Sequence, residues 1–134
     1  MLEIDYSLNP GKKLNKINFE MDPNQEPLIS IVTPYYNSQK YIGETANAIF
    51  NQTFPYWEWI IVDDESPEEE AKAKLEEIKN MDSRIKVFRK NNEGPAAARD
   101  YALERTNPST KYIMFLDSDD QIDKTYFECC YWTL

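Results

Sequence analysis

The alternation of apolar and polar positions divides the chain into two unlike parts. Residues 1–27 are polar and irregular, with Asn9-Pro10-Gly11 as a turn signal and Asp22-Pro23 and Glu26-Pro27 as breakers. They read as an N-terminal extension that docks on the domain beginning at Leu28. From Leu28 the pattern becomes regular. Leu28 to Thr33 (LISIVT) is a β-rich apolar run stopped by Pro34, after which Asn37 or Ser38 can cap a helix with Ile42, Ala46, Ile49 and Phe50 on one face. Trp57 to Val62 (WEWIIV) is a second strand, ending at Asp63-Asp64. Ser66-Pro67-Glu68-Glu69 then supplies an N-cap, a proline at the first helical position and a capping-box glutamate, and the helix places Ala71, Leu75 and Ile78 on one side. Ile85 to Phe88 is a shorter third strand, Gly94-Pro95 opens a third helix running through Tyr101 and Ala102, and Tyr112 to Leu116 is a fourth strand.

Strand–helix alternation calls for an α/β fold of three α/β/α layers, with a mostly parallel sheet and right-handed crossovers. Near-continuous apolar strands agree, because parallel strands are covered on both faces. In a parallel sheet the C-terminal ends of the strands share one edge, and open α/β sheets bind ligands there. That edge would collect Tyr36 and Asn37, then Asp63 and Asp64, then Asn91 and Asn92, then Asp117 and Asp119. Convergence of scattered polar residues on one crevice is stronger evidence than any single motif. Residues 28–134 form one domain.

Composition narrows the chemistry. Of 134 residues, 41% are hydrophobic and 29% charged, the formal net charge is −9, and His is absent. The acidic balance disfavours a nucleic-acid backbone or anionic lipid as the main partner, and the lack of His excludes His-based metal sites and acid–base catalysis. The adjacent Cys129 and Cys130 offer no disulfide framework or zinc spacing and read as buried thiols of a reducing compartment. No run approaches the ~20 apolar residues of a membrane span, and the N-terminus lacks a signal-peptide pattern. A cytoplasmic protein is expected.

The candidate chemistry centres on Phe115-Leu116-Asp117-Ser118-Asp119-Asp120, an apolar run ending in clustered acids. Carboxylates at that density repel one another unless a positive partner joins them, and Mg²⁺ or Mn²⁺ with phosphate oxygens is one such partner. An acidic turn capping the next helix is the other reading. Asp64, at the crevice edge, can accept from a base N–H or a sugar hydroxyl, or favour a helix dipole. Glu65 and Glu68 to Glu70 read as a solvated face. Arg99, one turn into the third helix, suits phosphate through its fork of donors, or pairs with Asp100 or Glu104. Trp57, Trp59, Phe54 and Tyr56 read as sheet packing. No P-loop and no G-x-G-x-x-G is present.

The order of four stretches resembles the nucleotide-binding half of a family-2 glycosyltransferase of the GT-A type: Thr33-Pro34-Tyr35-Tyr36-Asn37; Asn51-Gln52-Thr53 through Asp63-Asp64-Glu65-Ser66; Asn92-Glu93-Gly94 through Ala98-Arg99-Asp100; and the acid-ended fourth strand. Together they span residues 28 to about 125. The resemblance implies a UDP-sugar or similar donor, a divalent metal (Mg²⁺ or Mn²⁺) on its diphosphate, and inverting transfer to a glycan or lipid-linked acceptor in polysaccharide or glycolipid synthesis. Carried over by position, Pro34, Tyr36 and Asn37 line the nucleoside pocket and Asp63 and Asp64 lie at the nucleotide, Asp64 on the base. Arg99 sits near the nucleotide, Asp117 faces the ribose or metal-bound water, and Asp119 ligates the metal. The sequence departs from the pattern in carrying Glu65 where Gly is common and Asp100 where Asn is usual. The general base and acceptor half are expected downstream of the metal motif. The chain therefore reads as a truncated portion that binds donor without transferring sugar, belongs to a protein at the cytoplasmic membrane face, and exposes apolar surface through which it can self-associate.

Three rival readings remain. One is a non-catalytic nucleotide- or metal-binding module of the same fold. A phosphoacceptor receiver domain lacks a counterpart for the acid-rich fourth strand. A sugar nucleotidyltransferase needs a glycine- and arginine-rich first loop, where this chain has Tyr36-Asn37.

Overall fold

A computed structural model of the chain describes residue 22 and residues 24–133. The expected turn at Asn9-Pro10-Gly11 and most of the N-terminal extension lie outside the described residues. Eight elements alternate: β1 (Ile29–Tyr35), α1 (Ile42–Phe50), β2 (Trp57–Asp63), α2 (Glu69–Lys79), β3 (Ile85–Arg89), α3 (Pro95–Leu103), β4 (Tyr112–Phe115) and α4 (Tyr126–Thr133). The strands form one sheet in the order β3-β2-β1-β4, and every pairing is parallel. This is the expected α/β class.

The two faces follow from strand alternation. Ile29, Ile31, Tyr35, Trp57, Trp59 and Ile61 turn toward α1, α2 and α4, meeting Ile42, Ala46, Ile49, Ala71, Leu75, Ile78 and Phe127. Val32, Ile60 and Val62 turn the other way, under Ala98 and Ala102 of α3. Each fully buried large apolar side chain contributes about 1.5–3 kcal/mol, so both layers are held mainly by these contacts. The aromatic cluster is packing, as expected: Phe54, Trp57 and Trp59 are buried, and Trp59 Nε1 donates to Thr33 Oγ1 at 2.8 Å. Glu58, flanked by those tryptophans, faces the opposite layer. There it is held by Lys86 Nζ, Ser30 Oγ and Asn107 N.

Several local expectations are corrected. β1 does not stop at Pro34 but continues to Tyr35. Even-numbered residues of β1 face β4, and that ladder ends where Leu116 N donates to Val32 O. The missing N–H of Pro34 therefore costs no sheet hydrogen bond. Neither Asn37 nor Ser38 caps α1 through its side chain; Tyr41 is the N-cap, and Ser38 O accepts from Tyr41 N and Ile42 N. The expected capping box is likewise not formed: Glu68 caps α2 without a side-chain bond, because Ser66 is buried and bonded elsewhere. Cys129 and Cys130 form no disulfide and are half-buried rather than buried. Residue 22 and residues 24–27 meet the domain, with Asp22 N donating to Tyr56 Oη and Ser109 Oγ to Pro27 O. Among the described residues, no helix is long and apolar enough to cross a membrane.

Candidate functional site

The C-terminal strand ends open onto a crevice of about 250 Å³ lined by Pro34, Tyr35, Tyr36, Ser38, Asp64, Pro95, Asp117, Ser118 and Asp119. Four segments distant in sequence thus meet there: the ends of β1, β2 and β4 with the residues that follow them, and the start of α3. A larger cavity of about 650 Å³ lies at the opposite end of the sheet around Glu58 and Lys86. Its size does not make it the site: it lies away from the C-terminal strand ends, and its two cations, Arg84 and Lys86, are already paired with Asp82 and Glu58.

The acidic turn after β4 is closed on itself: Asp120 Oδ2 accepts from Asp117 N at 2.8 Å, and Asp117 O from Asp120 N at 3.1 Å. Carboxylate oxygens of Asp117, Asp119 and Asp120 all lie within 4.8 Å of one another. The cluster offers hard oxygen donors and no nitrogen or sulfur, a set matching Mg²⁺ or Mn²⁺. Among the described residues its one ion-paired counter-charge is Arg99, whose Nη2 lies 3.0 Å from Asp117 Oδ1. Arg99 does not line the crevice itself; it pairs with Asp117 at its edge, not with Asp100 or Glu104.

A residue with no obvious sequence signal anchors this turn. Thr45, fully buried on α1, places its Oγ1 at 3.0 Å from Ser118 O and 2.9 Å from Asp120 O. The one available hint was a polar residue inside the Ile42–Ala46–Ile49 stripe.

Asp63 and Asp64, adjacent at the end of β2, point to opposite faces, as strand geometry requires. Asp64 is 4% exposed and borders the crevice. Its Oδ1 accepts from Glu93 N and its Oδ2 from Gly94 N, both at 3.0 Å. It thereby clamps the turn into α3, where Gly94 takes φ 97°. Asp63, expected at the nucleotide, does not line the crevice. Its Oδ1 accepts from Ser66 N and its Oδ2 from Arg89 Nη1, both at 2.9 Å. Asn37 sits behind the wall with φ 45°, its N–H donating to Ser66 Oγ. Glu65 has φ 60°, a left-handed conformation that favours glycine, and its Oε2 accepts from Asn92 N. Its carboxylate is thus drawn onto the neighbouring turn.

The family model described as glycosyl transferase family 2 matches residues 30–131. TuaG of Bacillus subtilis, named as a glycosyltransferase of teichuronic acid biosynthesis, is 42% identical over 106 residues, which are 78% of this chain and 41% of TuaG. Glycosyltransferase GlyA of Streptococcus pneumoniae is 34% identical over 103 residues, 77% of this chain and 14% of GlyA. Among solved structures, S. aureus TarS 1–349 in complex with UDP-GlcNAc superposes with a TM-score of 0.69 at 31% identity, covering 78% of this chain and 30% of that one. The chain thus spans well under half the length of each of these three proteins.

Proposed function

This chain belongs to glycosyl transferase family 2, and from that premise we propose that its strand-end crevice binds a nucleotide-sugar donor with a UDP head group. The observation that carries the reading is the meeting of Pro34, Tyr36, Asp64, Asp117 and Asp119 around one crevice beside a cluster of three carboxylates. The UDP-GlcNAc bound to TarS supports the choice of nucleotide.

On this reading Pro34 and Tyr36 flank the nucleoside with Asn37 supporting their loop from behind, Asp64 accepts from the base, and Arg99 meets the nucleotide. Asp64 has lone pairs to spare, since a carboxylate offers about four acceptor sites and two are in use. Asp119 and Asp117 hold Mg²⁺ or Mn²⁺, with Asp120 shaping the turn that presents them. When bound, the metal supplies positive charge for the diphosphate as it leaves. The chain's own part is to seat the donor and fix its anomeric carbon at the crevice mouth. Transfer is inverting: an acceptor hydroxyl on a glycan or lipid-linked glycan loses its proton to a carboxylate and forms the new C–O bond as the bond to diphosphate breaks. We assign that carboxylate to no residue of this chain, which by itself binds donor without transferring sugar.

The test is calorimetric titration of UDP with Mn²⁺ present and again with EDTA. Binding that requires Mn²⁺ is expected. Absence of binding under both conditions would refute a self-sufficient donor site. Sustained sugar transfer by these 134 residues would refute the assignment of the base elsewhere.

A further inference from the structure

Behind the crevice wall runs a chain of polar contacts that donor binding alone leaves without a role. Arg89 Nη1 pairs with Asp63 Oδ2 at 2.9 Å, and its Nη2 reaches Ser66 O at 3.4 Å. Asp63 Oδ1 accepts from Ser66 N at 2.9 Å, and Ser66 Oγ accepts from Asn37 N at 3.0 Å. Asp63 and Ser66 are buried. The last link falls on Asn37, which is held at φ 45° as the chain leaves β1; the residue before it, Tyr36, lines the crevice.

We propose that Arg89, Asp63 and Ser66 are positioning residues that set the Tyr36–Asn37 loop for the nucleoside end of the donor, Asp63 acting through Ser66 and not by touching ligand. The proposal rests on the donor-site reading above. Its physical basis is a succession of constraints. A left-handed conformation is uphill for a residue with a side chain, and asparagine tolerates it best when local hydrogen bonds hold it. The bond that holds it here ends on a hydroxyl whose place is fixed through Ser66 N by Asp63. A buried carboxylate is stable there only with a paired cation, and Arg89 is that cation. Adjacent acids on one strand end then divide the labour: Asp64 faces the crevice, and Asp63 sets the loop on its far side.

The test compares UDP affinity at saturating Mn²⁺, and separately Mn²⁺ binding without nucleotide, in wild type, Ser66→Ala, Arg89→Met and Arg89→Lys, all well below their unfolding temperatures. Loss of one hydrogen bond predicts about 5- to 10-fold weaker UDP binding in Ser66→Ala and Arg89→Met. Mn²⁺ binding at the aspartate turn stays unchanged, and Arg89→Lys recovers most of the UDP affinity. Wild-type UDP affinity in Ser66→Ala, or parallel loss of UDP and Mn²⁺, would overturn the proposal, the second because it signals general loosening. If Arg89→Met fails to fold, Ser66→Ala decides alone, since it removes a single oxygen. Failure of wild type itself to bind UDP would instead remove the donor-site reading, and this proposal with it.

Discussion

Asp64→Asn isolates the clamp between β2 and α3. The substitution keeps the shape of the side chain but leaves one acceptor oxygen where two are used, by Glu93 N and Gly94 N. Whichever way the amide turns, one N–H loses its partner. Glu93 is exposed and Gly94 half-buried, so the amide oxygen should stay with Gly94 while Glu93 N–H turns to water. The surviving bond loses its charge, and charge-assisted bonds contribute roughly twice what neutral ones do. Together these changes amount to about 2 kcal/mol, one lost bond and one weakened. Asp64→Ala removes both acceptors and the negative charge at the α3 N-terminus, and should cost about 3 kcal/mol. Urea unfolding followed by the fluorescence of buried Trp57 and Trp59 reads the difference. With a slope of about 2 kcal/mol/M, Asp64→Asn should lower the midpoint by ~1 M. Asp100→Asn, at an exposed position on α3, is the control and should move it by no more than about 0.3 M. If Asp64→Asn unfolded at the wild-type midpoint, the two short bonds would not be holding the turn, and Asp64 would be free for ligand alone.

Two further predictions concern charge. Asp119→Asn keeps size and removes charge from an exposed side chain; it should abolish metal-dependent UDP affinity while leaving the unfolding midpoint unchanged, and wild-type UDP binding in that variant would refute the metal assignment. Burial, followed by the nearby charges of Asp63 and Glu68, pushes the Tyr35 phenol up to about 12. A folded-state value above the unfolded one near 10 means stability that is complete below pH 10 and lost as pH rises toward 12. Wild type should therefore lose about 1 kcal/mol more than Tyr35→Phe between pH 9 and pH 11, and parallel losses would show that Tyr35 ionises as it does in the unfolded chain.

What the sequence determined by itself was the periodic part of the structure. Runs such as Trp57–Val62, and stripes such as Ala71–Leu75–Ile78, depend on spacing along the chain. Their alternation was enough to specify a parallel sheet and an edge where polar residues gather. The ordered stretches from Thr33 to Asp120 were enough to point to the family. α4 was legible only as the helix that the acidic turn precedes, without bounds, because apolar residues lie around much of its circumference and leave no stripe to read. Tertiary structure decided which partner each polar group meets. Ser66 had every local credential for a cap, yet its hydroxyl takes Asn37 N–H, 29 residues away. Arg99 could pair with Asp100 or Glu104 nearby, but the fold brings the turn after β4 to it and gives it Asp117. Asp63 and Asp64 look alike in sequence, and only the burial of β2 between two layers assigns one to the loop support and the other to the crevice. Apolar burial is non-directional and follows from local period. Hydrogen bonds and ion pairs need a particular partner within about 3 Å, and such partners come together only once the sheet has formed.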